Sequence, residues 1–210
     1  MFTNMPDIQT MAMYVLAFLM AITVHECAHA RAALAAGDDT AKRMGRISLN
    51  PLDHLDPIGT LMFVATMLSG FGLAWGKPVP VNPYYFRSPR WDSLKVSLWG
   101  PLSNVIAAVV LALLLRFVVV PWLPLYIPLV VVCIMFNLVL AFFNMIPIPP
   151  LDGSKVLSSL LPMELARRYD FTMGRYGLIV LLVVLITGIA GLVIGPPVRF
   201  FLSLLVGLAT

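Results

Sequence analysis

The sequence predicts an all-α polytopic membrane protein with about four to six membrane helices, including a re-entrant segment, and a small β element between the first and second full spans. Three observations lead there. The 210 residues are 60% hydrophobic and 11% charged, whereas soluble domains hold roughly 45–50% apolar and about 25% charged residues. Mean hydropathy is +0.93, and the apolar residues gather in runs of the ~20 needed to cross a bilayer. Most of the 14 Lys and Arg residues gather in short segments between those runs, where they set topology rather than bind nucleic acid. Little chain is left for a separate soluble domain, so residues 1–210 read as a single membrane-embedded domain.

Four runs are able to span: 11–36, 91–120, 123–146 and 176–194. A fifth, 57–75, is interrupted by Gly59, Gly70 and Gly72, and a sixth, 198–208, is too short to cross and reads as lying in the interface or packing at an angle. The basic residues choose between topologies. Lys42, Arg43 and Arg46 precede the fifth run, Lys77, Arg87 and Arg90 follow it, and Lys155, Arg167, Arg168 and Arg175 follow the run 123–146. If 57–75 re-enters, all three basic segments share one side and the charge-free turns face the other, as the positive-inside rule requires. The N-terminus then lies outside. Prolines cluster at 78–83, 121–128 and 147–150; irregular backbone at membrane depth survives only where protein buries it or where it lines a wet cavity. The segments 45–50 and 77–81 alternate like strands, with Pro78 and Pro80 suited only to an edge. They are the expected β element, able to add a strand to an unwound substrate. Cys27 and Cys133 fall inside apolar runs and read as buried thiols.

The chemistry concentrates in His25-Glu26-Cys27-Ala28-His29. An H-E-x-x-H helix sets two imidazoles on one face, one turn apart, where both reach one Zn²⁺ and the Glu beside them deprotonates its water. This window holds two of the chain's three His and one of its two Glu, at a depth where ionisable groups are costly and mark function. A hydrolytic zinc needs a third protein ligand and one open position. Asp152, in the Pro-rich segment after the run 123–146, is the candidate; taken alone it reads equally well as a helix cap. It shares a side with His25 and His29 only in the re-entrant topology.

HECAH near the end of the first membrane helix, with Asn144-x-x-Pro147-x-Pro149-Pro150-Leu151-Asp152-Gly153 after a later one, resembles the site-2 protease family of intramembrane zinc metalloproteases. The short prokaryotic members without PDZ or CBS domains are the most similar. LNPLDHLDPIG (49–59), KPVPVNP (77–83) and GPLSN (100–104) extend the resemblance over about residues 10–160. It implies that His25, His29 and Asp152 hold one Zn²⁺, that Glu26 is the general base, and that Asn144 steadies the substrate carbonyl. The implied substrate is a transmembrane protein or peptide, cut in or near the bilayer in regulated intramembrane proteolysis. The implied setting is a prokaryotic cytoplasmic membrane, with the site toward the cytosol. Ser154 departs from the pattern, since many members carry a second Gly after Leu-Asp-Gly. His54 lies within the pattern as a ligand, a partner behind the ligands or a loop residue. The alternative class is a non-proteolytic zinc-binding membrane protein, a transporter or pseudo-protease. A transporter, however, repeats its polar residues in two halves, and here the cluster occurs once.

Overall fold

The computed structural model describes residues 7–69 and 75–207. Helix α1 (Ile8–Ala36) starts where the Asp7 carboxylate accepts the Thr10 N–H at 2.7 Å and ends at Gly37, whose φ of 112° lets its N–H reach back to Ala33 and Leu34 carbonyls. Only glycine fits at that end: a Cβ would lie 2.8 Å from the Tyr85 carbonyl oxygen. A short α2 (Thr40–Arg43) and α3 (Pro57–Ser69) follow. Helix α4 (Pro89–Leu114) runs on through a π-turn, Leu115–Val119, into α5 (Val120–Trp122). Then come α6 (Ile127–Asn144), α7 (Asp152–Leu160), α8 (Met163–Ile186) and α9 (Ile189–Gly207). Five of these stretches are long and apolar enough to cross a membrane: 8–36, 89–122, 124–144, 163–186 and 189–207.

Helices α1, α4 and α6 form the packed centre. Their contact faces carry small residues, Ala17, Ala21, Ala30 and Ala33 on α1 and Gly100, Ala108 and Ala112 on α4. Lipid is as apolar as leucine, so close backbone approach rather than hydrophobic burial holds membrane helices together. Cys27 and Cys133 are buried free thiols. The last helix returns along the trio: Val198 joins the cluster of Ala108, Leu115, Ile134 and Leu138.

Segment 57–75 leaves and returns at one place. The Lys77 N–H donates to the His54 carbonyl at 2.8 Å, and Gly59 sits so close to Trp75 that a Cβ would overlap its carbonyl. Helix α3, at 13 residues, is about 20 Å long, short of the ~30 Å hydrocarbon layer. Gly70 and Gly72 fall outside the described residues. The basic segments meet at this same end. Arg46 donates to the Lys77 carbonyl at 2.6 Å, and Arg90 to the carbonyls of Ser159 and Leu161 at 2.7 and 2.6 Å.

Two expectations are corrected. No strand is present among the described residues. Segments 45–50 and 77–81 do approach each other, but the Arg46 side chain takes the Lys77 carbonyl, and the N–H groups of Lys77 and Val79 go to His54 and Glu26. With Pro78 and Pro80 lacking N–H groups, no N–H from 77 to 80 is left for a ladder. The run 176–194 is not one span either: it breaks at Thr187–Gly188, where Gly188 takes φ 75°, and the residues after 198 belong to α9.

Candidate metal centre and active site

The two histidines of α1 stand seven and eleven residues before its last residue, Ala36, so the site lies about 10–16 Å inside the bundle end. Both are buried, as is Asp152. His25 Nε2, His29 Nε2 and Asp152 Oδ2 form a triangle with sides of 3.0, 3.1 and 3.1 Å. Ligands held tetrahedrally at about 2.0–2.1 Å from zinc stand roughly 3.3 Å apart, so the triangle fits one such ion. It is the one group of three metal-ligating side chains gathered among the described residues.

The far sides of the imidazoles explain why the near sides need a cation. His29 Nδ1 donates to the Val96 carbonyl at 2.8 Å, and His25 Nδ1 to the Asn104 side-chain oxygen at 2.7 Å. Each Nδ1 therefore carries the proton, and each Nε2 presents a lone pair to the other and to a carboxylate. Three acceptors at such distances repel unless a positive ion lies between them. Asp152 is the first residue of α7 and makes no cap bond, so its carboxylate is free to face the imidazoles.

Small residues make room for the cluster. A Cβ on Gly100 of α4 would overlap His29 Nε2 and lie 2.8 Å from His25 Cε1, and a Cβ on Gly153 would overlap the Met145 carbonyl. Ser154, the departure from the family pattern, donates to the Leu151 carbonyl at 2.7 Å and does not touch the ligand atoms.

Glu26 shares a cavity of about 140 Å³ with the triad. Its Oε2 accepts the Val79 N–H at 2.8 Å, so segment 75–82 forms one wall. Asn144, at the end of α6, lines the same cavity while its Nδ2 donates to the Leu140 carbonyl at 3.0 Å. His54 is fully buried elsewhere: its ring donates to the Ser48 carbonyl at 2.9 Å, and its own carbonyl holds Lys77. Ser103 bonds the Gly100 carbonyl of its own helix. Sequence reasoning gives no role to Asn104, Asn137, Gly100 or the backbone of Val79, although Gly100, Asn104 and Val79 fall within the quoted stretches GPLSN and KPVPVNP. Asn104 and Asn137 carry a readable signal, an amide inside an otherwise apolar helix.

The model of peptidase family M50 matches residues 123–188, a stretch that includes Asn144 and Asp152. The chain is 38% identical over 190 residues to "Putative zinc metalloprotease YwhC" of Bacillus subtilis (strain 168), covering 87% of this chain and 84% of that one. Rip2 of Mycolicibacterium smegmatis, which bears the same description, is 28% identical over 170 residues, covering 81% of this chain and 65% of its own. Rip2 of Mycobacterium tuberculosis (H37Rv) is 30% identical over 159 residues, 74% of this chain and 60% of its own. No solved structure matches the chain.

Proposed function

Because the chain belongs to peptidase family M50, the site-2 protease family of membrane zinc metalloproteases, we propose that His25, His29 and Asp152 hold a single zinc ion and that Glu26 is the general base of peptide hydrolysis. The observation that carries this reading is the convergence of three ligand atoms from α1 and α7 beside a carboxylate in one small cavity. When bound, zinc supplies a Lewis acid that brings the pKa of its water toward ~7 and polarises the scissile carbonyl.

The chain's own residues do the rest. Glu26 takes the proton of the attacking water and hands it to the leaving amine, its carboxylate steadied by the Val79 N–H. Asn144 turns its amide toward the oxygen on which charge develops. The imidazoles keep their Nδ1 protons on fixed oxygen acceptors throughout, so neither drifts off the metal. The substrate is a transmembrane or membrane-anchored protein, unwound before attack because a helix hides its own amides. The chain forms one membrane-embedded domain in a prokaryotic cytoplasmic membrane. Its site opens at the basic, cytosolic end, in support of which Arg46, Lys77 and Arg90 gather there.

The test is metal content and cleavage of a transmembrane peptide by detergent-purified wild type and Glu26→Gln. Both should hold one zinc per chain, and the variant should lose ~10²–10⁴-fold in rate. Full activity in Glu26→Gln removes the base assignment. Zinc without cleavage in wild type, against a panel of membrane substrates, leaves a binding protein or transporter instead.

A further inference from the structure

We infer that Asn137 and Asn104 form a relay that fixes the tautomer and orientation of His25, so that Nε2 and not Nδ1 faces the metal centre. Both are positioning residues, and the inference rests on the zinc reading above.

The pair sits in α6 and α4, 1% and 0% exposed, in membrane helices where an unsatisfied amide is heavily penalised. The direction of each bond is fixed by its partner. Asn137 Nδ2 donates to the Cys133 carbonyl at 2.9 Å, so its Oδ1 turns to Asn104. Asn104 spends both amide hydrogens, on Asn137 Oδ1 and on the Ala21 carbonyl, each at 2.9 Å. Its Oδ1 is left for His25 Nδ1 at 2.7 Å. An oxygen of that kind only accepts, so His25 must carry its proton on Nδ1. Flipping the Asn104 amide would set its oxygen against two other oxygens. The whole chain is therefore polarised from two main-chain carbonyls, Cys133 and Ala21, whose direction cannot reverse.

His29 meets the same need in one step, through the Val96 carbonyl. In α4 the group facing His25 Nδ1 is a side chain, free to rotate unless something holds it, and Asn137 supplies the hold together with the Ala21 carbonyl. The relay crosses three helices and joins residues 33 and 79 positions apart.

The test uses the full chain with ¹⁵N-labelled histidine, first without metal. Wild type should give a His25 signal protonated on Nδ1; Asn137→Leu, close in size, should give a mixture of tautomers. Zinc affinity, read by chelator competition, should fall at least ~10-fold in Asn137→Leu, with a shifted visible spectrum for the Co²⁺-loaded chain. Asn137→Thr should stay within about threefold, because a Thr hydroxyl bonds the carbonyl four residues back, as Thr60, Thr66 and Thr187 do, and keeps a lone pair for Asn104. Leu138→Ala, its fully buried neighbour, is the stability comparator: its melting temperature should drop while tautomer and affinity stay put. The relay is overturned if Asn137→Leu keeps the wild-type tautomer and affinity, if Thr loses as much as Leu, or if Leu138→Ala loses metal equally. A wild-type chain that binds neither zinc nor Co²⁺ sinks the metal reading, whereas the metal-free ¹⁵N signal still decides the relay.

Discussion

Helices α1, α4 and α6 differ from α8 and α9 in what they bury. The most apolar windows of the first three are 39%, 22% and 33% buried, and those of α8 and α9 are 11% each. The trio closes on alanines, glycines and an amide relay, contacts that demand exact shape and fixed polarity. The later limb joins it through an apolar cluster, with Leu181 and Ala190 set against Ile146 and Leu151. Since lipid offers apolar side chains much the same environment, the second kind of contact tolerates change and the first does not. Chemistry is placed in the intolerant region; the limb packs on it through Val198 and on the 146–151 loop that leads to Asp152.

The sharpest way to break this contrast is Gly100→Ala. A Cβ there overlaps His29 Nε2 and crowds His25 Cε1, so the imidazoles must move or the α1–α4 pair must part. A ligand displaced by an ångström costs ~10²-fold, and cleavage and zinc retention should both fall by at least that much. Side-by-side metal analysis and peptide cleavage check it. Wild-type zinc content in Gly100→Ala would mean the trio is far softer than its packing implies.

Leu181→Ala probes the limb. Leu181 is 1% exposed, and a core Leu→Ala change costs about 2–5 kcal/mol in water. Here the lower end applies, on the order of 2 kcal/mol, because lipid rather than water is the alternative environment. The melting temperature should fall, zinc should stay, and cleavage should drop less than ~10-fold, since only the anchoring of the loop before Asp152 loosens. Loss of zinc in this variant would erase the distinction between the two regions.

What could be read from the sequence follows the same division. His25, Glu26 and His29 were legible because a helix of known period carries all three. Asp152 read equally well as a helix cap until the topology from Lys and Arg and the family resemblance singled it out. The re-entrant turn was proposed from those charges; the Lys77–His54 hydrogen bond brings the two ends of the segment together. The β element was not borne out: alternation at 77–81 is visible in sequence, but the capture of the Lys77 carbonyl by Arg46 is not. The break at Thr187–Gly188 was missed because apolarity continues through it, and the turn depends on a single positive φ. Gly100, Asn104 and Asn137 act across helix contacts that local pattern does not encode.

Asp38 tests the joint where the trio meets the loops. Buried just past α1, it accepts the Thr40 N–H and hydroxyl on one oxygen and the Asn82 N–H on the other. Burial opposes its ionisation, but these donors prevail and hold its pKa below the ordinary 3.8. A carboxyl with a lowered folded pKa stabilises above its unfolded value and loses that contribution as pH falls through the folded one. Asp38→Asn turns a donor toward the Asn82 N–H, so its melting temperature should lie below wild type at neutral pH. The gap should hold down to about pH 3.8 and close below it, where wild type protonates too. A gap independent of pH down to acid unfolding would show that the charge contributes nothing.

The smallest effect repeats the Gly100 substitution in the other region. Gly174 lies in the first half of α8, among Arg167, Arg168, Asp170 and Arg175, and a Cβ there meets nothing within 4 Å. With no neighbour to displace, only the backbone term remains. Alanine restricts the unfolded chain and favours helix over glycine by roughly 0.5–1 kcal/mol. Those charged neighbours place the site in a watery environment where that scale applies. Gly174→Ala should therefore raise the melting temperature slightly and leave zinc content and cleavage unchanged, the reverse of Gly100→Ala in both sign and reach. A fall in stability would mean that α8 is packed on a face left open here, and the limb would then belong with the trio rather than beside it.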